Sequence, residues 1–238
     1  MAHSQRLALV GGTSLLDAAP LRRATPLSVP TPHGAVTLLE QDGILFLQRH
    51  GLEGYTPPHL INHHAHLYAL QQAGATRVLA IGSVGSLRLD LPPGTLVVPD
   101  DFYAPQVNLS CFTDQRGHRA PEFHPEWRAR LLAVWQQTVL PPPRDGGIYW
   151  QTTGPRFETP AEIRLLAPHV HLVGMTIAAE CILAGELELP YAALCIVDNF
   201  ANGIQADKLS YASFKAQVQA NKTLLLHTIQ TLVEELAP

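Results

Sequence analysis

The sequence predicts one large α/β domain spanning residues 1–238. Three observations lead there. The chain has 238 residues, 46% hydrophobic and only 15% charged, enough apolar material for a sizeable core and much buried surface. Short apolar runs recur along it, and each stops at Gly, Ser, Thr or a charged residue. Two longer segments carry helical rather than alternating periodicity. In open α/β sheets ligands bind outside the C-terminal ends of the strands, where backbone N–H groups and helix N-termini converge. The polar ends of the apolar runs are therefore where chemistry is expected.

The elements follow in order. The run 7–10 is a strand entering the turn Gly11-Gly12-Thr13-Ser14. The run 43–47 is a second strand, ending at Gln48-Arg49-His50-Gly51. Leu60, Ile61, Ala65, Leu67, Leu70 and Ala73 fall near helical spacing and predict a helix over 60–73. The run 77–81 is a third strand, closed by Gly82-Ser83-Val84-Gly85-Ser86, and 95–98 is a fourth. The run 147–150 leads into Gly154-Pro155-Arg156-Phe157-Glu158-Thr159, and 170–173 leads into Gly174-Met175-Thr176. Residues 191–197 form a long buried strand ending at Asp198-Asn199, and 209–236 form a closing amphipathic helix. The prolines at 141–143 make a surface connector. There is no internal repeat and no low-complexity segment.

Composition excludes several classes. A formal net charge of -4 argues against a nucleic-acid partner. No run approaches the roughly 18 apolar residues of a membrane span, so no membrane contact is expected. Residues 1–6 are polar and lack the pattern of a signal peptide. Cys111, Cys181 and Cys195 are scattered and without metal spacing, as free thiols of a cytoplasmic protein would be. Cys195 lies inside an apolar strand and is expected to be inert.

Three strand ends offer anion ligands. Gly12-Thr13-Ser14 supplies N–H groups and hydroxyls, Arg49-His50 a guanidinium and an imidazole, and Gly82-Ser83 a further N–H and hydroxyl. A phosphate needs such convergent donors, although glycine and serine also belong in ordinary turns. The first loop lacks the Gly-Lys-Ser/Thr end of a P-loop and the spacing of a dinucleotide fingerprint. In Gly154–Thr159 a carboxylate beside an aromatic ring can bond and stack on a flat heterocycle. The competing signal is His59, His63, His64 and His66, whose three- and four-residue spacings suit a zinc-dependent hydrolase on a helix face. No H-E-x-x-H motif and no carboxylate in 60–75 completes that set, so a solvated or subunit-facing helix surface is the favoured reading. No G-x-S-x-G elbow is present.

Taken in order, Gly11-Gly12-Thr13-Ser14-Leu15, Arg49-His50-Gly51-Leu52-Glu53-Gly54-Tyr55, Val84-Gly85-Ser86-Leu87, Gly154–Thr159 with Ala161-Glu162, and Gly174-Met175-Thr176 resemble the trimeric purine nucleoside phosphorylase and methylthioadenosine phosphorylase family. The resemblance covers 7 to about 203. It implies a mixed central β-sheet flanked by helices, a homotrimer with sites near subunit contacts, and a role in purine salvage. It implies a pentosyl transfer in which inorganic phosphate, as co-substrate and without metal or other cofactor, attacks C1′ of a purine nucleoside. Thr13, Arg49, His50, Ser83 and Thr176 would surround the phosphate. Met175 would lie against the ribose, Phe157 near the base, and Glu158 on its Watson–Crick edge, while Glu53 would orient His50. Early C–N cleavage gives an oxocarbenium-like sugar, stabilised and then captured by phosphate, so Asn199, His50 and Glu158 would act by position and charge rather than as nucleophiles.

Base preference turns on Asp198-Asn199. With Asn199 at the base, its amide donates to O6 and accepts from a protonated N7, and Glu158 accepts from N1–H, which selects inosine, guanosine or 5′-methylthioinosine. With the register slipped by one, Asp198 reads the base and an adenosine or methylthioadenosine substrate returns. The chain departs from the family at Leu52, Gly54, Asp198 and Ala179. It also lacks a clear counterpart of the histidine that binds the 5′-hydroxyl, since only His227 follows His171. An apolar 5′ pocket from Leu209 and Tyr211 and a loop residue, His118, reaching a neighbouring subunit are further expectations. A purine-binding homologue without catalysis remains the other reading of these departures.

Overall fold

A computed structural model describes residues 5–15 and 23–236; part of the polar N-terminal reading, at 1–4, lies outside them. Among the described residues eleven strands build one mixed sheet. They are β1 (Leu7–Gly11), β2 (Thr25–Val29), β3 (Val36–Gln41), β4 (Ile44–Gln48), β5 (Arg77–Ser86), β6 (Leu96–Val98), β7 (Asp101–Tyr103), β8 (Arg144–Asp145), β9 (Ile148–Gln151), β10 (Leu172–Gly174) and β11 (Tyr191–Phe200). The helices are α1 (His63–Gln72), α2 (Pro125–Trp135), α3 (Pro160–Leu166), α4 (Ile177–Glu186) and α5 (Tyr211–Leu236). The strand order is β2-β3-β4-β1-β5-β10-β9-β7, with β11 also on β5, β6 on β11 and β8 on β6.

The sheet centre is buried on both faces, and strand alternation divides it cleanly. Ala8, Val10, Val78, Ala80, Ala193 and Cys195 face α1 and α4, packing with Leu67, Leu70, Ile177 and Cys181. Leu7, Leu9, Leu79, Ile81, Ala192, Leu194 and Ile196 face α2 and α5, packing with Trp127, Leu131, Leu225 and Ile229. A smaller cluster of Leu87, Trp150, Ile163, Val173 and Ala201 seats α3.

Two strands run further than the sequence suggests. β5 does not stop at Ile81; it pairs with β11 as far as Ser86, so Gly82–Ser86 is strand and not a turn. Its glycines serve close approach: a Cβ on Gly85 would sit 3.0 Å from the Asn199 amide nitrogen. β11 continues to Phe200 through a break in register between Val197 and Asn199. Asp198 is the extra residue of this bulge, and bulges re-aim side chains. The first helix starts at His63, not Leu60, because the Asn62 side chain caps it by accepting from the Ala65 N–H at 3.0 Å. Residues 58–60 form a separate 3-10 turn.

Several elements lie outside the sequence reading: the β2–β3 hairpin, β7, β8, α2, α3 and α4. α4 is buried at eight of its ten positions, so it carries no polar face for periodicity to reveal. α2 does carry a signal, the stripe Trp127, Leu131, Trp135 behind a proline at its start.

Candidate functional site

Thr13, Arg49, His50, Ser83, Phe157, Glu158, Met175, Thr176 and Asn199 line a single cleft. They come from the turn after β1, the end of β4, the middle of β5, the segment after β9, the β10–α4 junction and the end of β11. Asp198 is the exception. It lies on the α5 side of β11, like Ala192, Leu194 and Ile196 before it. Its carboxylate is 1% exposed and accepts from Ser14 Oγ at 3.1 Å, from Ser83 Oγ, and from Asn221 Nδ2 at 2.7 Å. Asp198 is therefore beneath the cleft floor, and Asn199 is the β11 residue that faces the cleft.

The polar end is built around Arg49. Its guanidinium is fully buried and forks onto Glu180 of α4 through Nε and Nη2, while Nη1 donates to the Ile81 carbonyl at 3.0 Å. Burial works against this charge, but Glu180 outweighs it and holds Arg49 above its ordinary pKa. Burial likewise opposes the Glu180 charge, and Arg49 reverses that effect to hold the carboxyl low. Tyr191 donates to Glu180 at 2.7 Å. A guanidinium has five N–H donors; three are spent here, and two on the Nη atoms stay open to an anion. Gly12 makes room, since a Cβ there would stand 2.6 Å from Arg49 Nη1.

His50 sits beside this group. Its Nδ1 is 2.8 Å from the Thr56 carbonyl and its Nε2 is 3.4 Å from Thr13 Oγ1. A carbonyl only accepts, so that bond assigns the proton to Nδ1 and a lone pair to Nε2. Burial, with Arg49 nearby, lowers the His50 pKa and keeps the ring neutral. Tyr55 stacks on it at 5.2 Å. Glu53, expected to orient His50, is exposed; the Thr56 carbonyl occupies that role. Thr176 is the N-cap of α4 and makes no side-chain capping bond, so its hydroxyl is unspent at the positive end of a ten-residue helix. The first N–H groups of that helix are met by Tyr149 OH and Gln151 Oε1. The Ala179 N–H donates to Gln151 Oε1 at 3.0 Å, a bond that a proline at this position could not make because it has no N–H.

At the other end Glu158 is buried, and Thr152 Oγ1 donates to it at 2.7 Å. Burial raises its pKa. Its backbone carbonyl accepts from Asn202 Nδ2 at 2.8 Å. The neighbouring Arg156 does not enter the cleft: it pairs with Glu162 at 2.8 Å, and Glu162 also closes a capping box with Thr159 at the start of α3. Within the sequence motif Pro155, Phe157 and Glu158 thus line the cleft, while Arg156 and Thr159 belong to the frame around it. Asn199 donates to the Phe200 carbonyl at 2.9 Å, leaving its carbonyl and second amide hydrogen to a ligand. Phe157 meets Phe214 of α5 edge-on at 5.8 Å. Tyr211 and Phe214 line the cleft, and Leu209 does not.

The histidine run disperses. His59 lies exposed in the 3-10 turn, and His64 meets the Ser110 carbonyl at 2.9 Å. His63 is buried 3.9 Å from Glu180, which corrects the expectation of a solvated face. Burial takes the His63 and His66 pKa values down to about 4. Among the described residues no three His, Cys, Asp or Glu side chains converge on a metal position. The three cysteines are free, and burial pushes the Cys195 thiol up to about 12. His171 is committed to the Ile148 N–H at 3.0 Å, and His227 is exposed on α5.

A strand-end cleft with an anion-ready arginine at one end and a carboxylate–amide pair at the other defines a class. The model of the phosphorylase superfamily matches residues 6–234, and the chain belongs to that family. It is 34% identical over 233 residues to a probable 6-oxopurine nucleoside phosphorylase of Archaeoglobus fulgidus, covering 96% of both chains. It is 37% identical over 234 residues to a probable S-methyl-5′-thioinosine phosphorylase of Xanthomonas campestris, covering 92% of this chain and 93% of that one. The fold matches methylthioadenosine phosphorylase from Schistosoma mansoni in complex with adenine, with a TM-score of 0.83 at 23% identity, over 97% of this chain and 91% of that one.

Proposed function

We propose that the protein is a pentosyltransferase that cleaves a 6-oxopurine nucleoside with inorganic phosphate, giving free purine and a ribose 1-phosphate. The observation that carries this reading is the pairing of Asn199 and Glu158 in one cleft with Asp198 turned away from it. An asparagine amide both donates to O6 and accepts from a protonated N7, and a carboxylate accepts from N1–H. A 6-amino purine would present a donor where Asn199 must give one. An adenosine reading through Asp198 would require its carboxylate to leave three buried donors.

Phosphate is assigned to the Thr13, Arg49, His50, Ser83 and Thr176 end, and the ribose to Met175 between the two ends. The geometry supplies no nucleophile of its own; it orients phosphate toward C1′ and stabilises the departing purine through Asn199. Tyr211 and Phe214 form an aromatic edge to the cleft, which favours an apolar 5′-methylthio group over a 5′-hydroxyl. The relatives named as probable S-methyl-5′-thioinosine phosphorylases are in keeping with it. A cytoplasmic homotrimer working in purine salvage, with no resident cofactor and no nucleic-acid or membrane partner, completes the reading. No helix among the described residues is long and apolar enough to cross a membrane.

The test is base release from inosine, guanosine, adenosine and their 5′-methylthio forms, each with and without phosphate. Phosphate-dependent release from the 6-oxo members is expected, best with 5′-methylthioinosine. Release that ignores phosphate, or a preference for adenosine, would overturn the assignment, and binding without turnover would mark a non-catalytic homologue. Sedimentation at assay concentration should give three copies.

A further inference from the structure

We propose that Asp198 sets the anion specificity of the cleft by holding Ser83 as a hydrogen-bond acceptor, so that the site prefers an oxyanion carrying its own proton. The inference rests on the phosphate assignment above and adds a positioning residue beneath it. Asp198 Oδ2 is approached by the hydroxyls of Ser14 and Ser83, and Oδ1 by the amide of Asn221. An ionised carboxylate only accepts, so both serines must spend their single hydroxyl proton on it. Ser83 lines the cleft and then presents only lone pairs to whatever binds there.

The arrangement is locked from behind. Asn221 Nδ2 also donates to the Val197 carbonyl at 3.1 Å, and its Oδ1 accepts from Gln217 Nε2 at 3.0 Å. The groups that hydrogen-bond Asp198 are all neutral. If Ser83 swung round to donate into the cleft, a buried carboxylate oxygen would lose a donor while an anion arrived, which costs more than an ordinary exchange of partners. The adjacent positive charge is already matched, because Arg49 is paired with Glu180. Hydrogen phosphate and hydrogen arsenate each bring an O–H that fits the Ser83 lone pair. Sulfate has the same charge and nearly the same shape but no proton, so it meets Ser83 lone pair to lone pair.

The polarity can be reversed by one atom. In Asp198→Asn the Asn221 amide still requires an acceptor at Oδ1. The new side chain must keep its oxygen there and turn its NH2 toward Ser83 and Ser14. Ser83 then accepts from below and donates into the cleft.

The experiment measures binding of phosphate, arsenate and sulfate to the full chain by thermal shift above neutral pH. In parallel, arsenate is assayed as a replacement co-substrate and sulfate as a competitor in nucleoside cleavage. In the wild type, arsenate should substitute for phosphate, and sulfate should bind at least about tenfold more weakly, the effect of one mismatched hydrogen bond. Asp198→Asn should close most of that gap by strengthening sulfate relative to phosphate. Ser83→Ala, which tests the same idea if the first variant does not fold, should narrow the gap by weakening phosphate and relieving the clash with sulfate. Equal binding of sulfate and phosphate by the wild type, or an unchanged ratio in a folded variant, would overturn the inference. Absence of phosphate-dependent cleavage would instead count against the proposed function, because the thermal-shift ratio is read without turnover.

Discussion

Glu158 and Asn199 are single side chains on which the substrate assignment depends. Glu158 accepts from a purine N1–H much more strongly when ionised, and burial raises its pKa. Cleavage of inosine should therefore fall on the acid side at a pH above the ordinary glutamate range, reported by kcat/KM against pH. Glu158→Gln should remove that limb and lower kcat/KM; an unchanged acid limb would place the titrating group elsewhere. Asn199→Asp should shift the ratio of adenosine to inosine turnover by about tenfold or more toward the 6-amino substrate, since an aspartate cannot donate to O6. No shift would remove Asn199 from the base. Both residues were visible in the sequence as chemistry. Which of Asp198 and Asn199 faces the ligand was not, because one bulge decides it and a bulge leaves no periodic trace.

At the scale of elements, α3 and α4 each hold part of the site in register. The box between Thr159 and Glu162 starts α3 two residues after Glu158. Thr159→Ala should cost about 1 kcal/mol of stability and raise KM for the nucleoside more than it lowers kcat. A variant as stable as the wild type in urea, with the same KM, would contradict this. α4 brings Glu180 under Arg49 from 131 positions away. Glu180→Ala strands a buried guanidinium and should lose about 3–5 kcal/mol, read from the urea midpoint at constant slope. Sequence periodicity located β1, β4 and the body of α5 because their apolar spacing is regular. It missed α4 because a helix buried on nearly every side shows no spacing at all.

Across the whole molecule, protons link stability to pH through His63 and His66. Their folded pKa values are about 4, below the unfolded value, so the unfolded chain binds the proton more tightly. Stability should be fully present above the unfolded histidine value and decline as pH falls toward 4. His63 alone accounts for about 3 kcal/mol on that scale. A denaturation series against pH should show this slope, and His63→Phe should flatten it; an equally steep slope in the variant would contradict the assignment. The sequence by itself determined the inventory: strands that end in polar residues, a carboxylate beside a ring, an arginine and histidine together, and the family these make. The tertiary structure alone decided the partners. Arg49 meets Glu180, Asp198 meets Ser83 and Asn221, and Glu158 and Asn199 come to line one cleft because β5 takes β1, β10 and β11 as neighbours and helices cover both faces. Which strands lie side by side depends on long-range packing, and local residue spacing does not encode it.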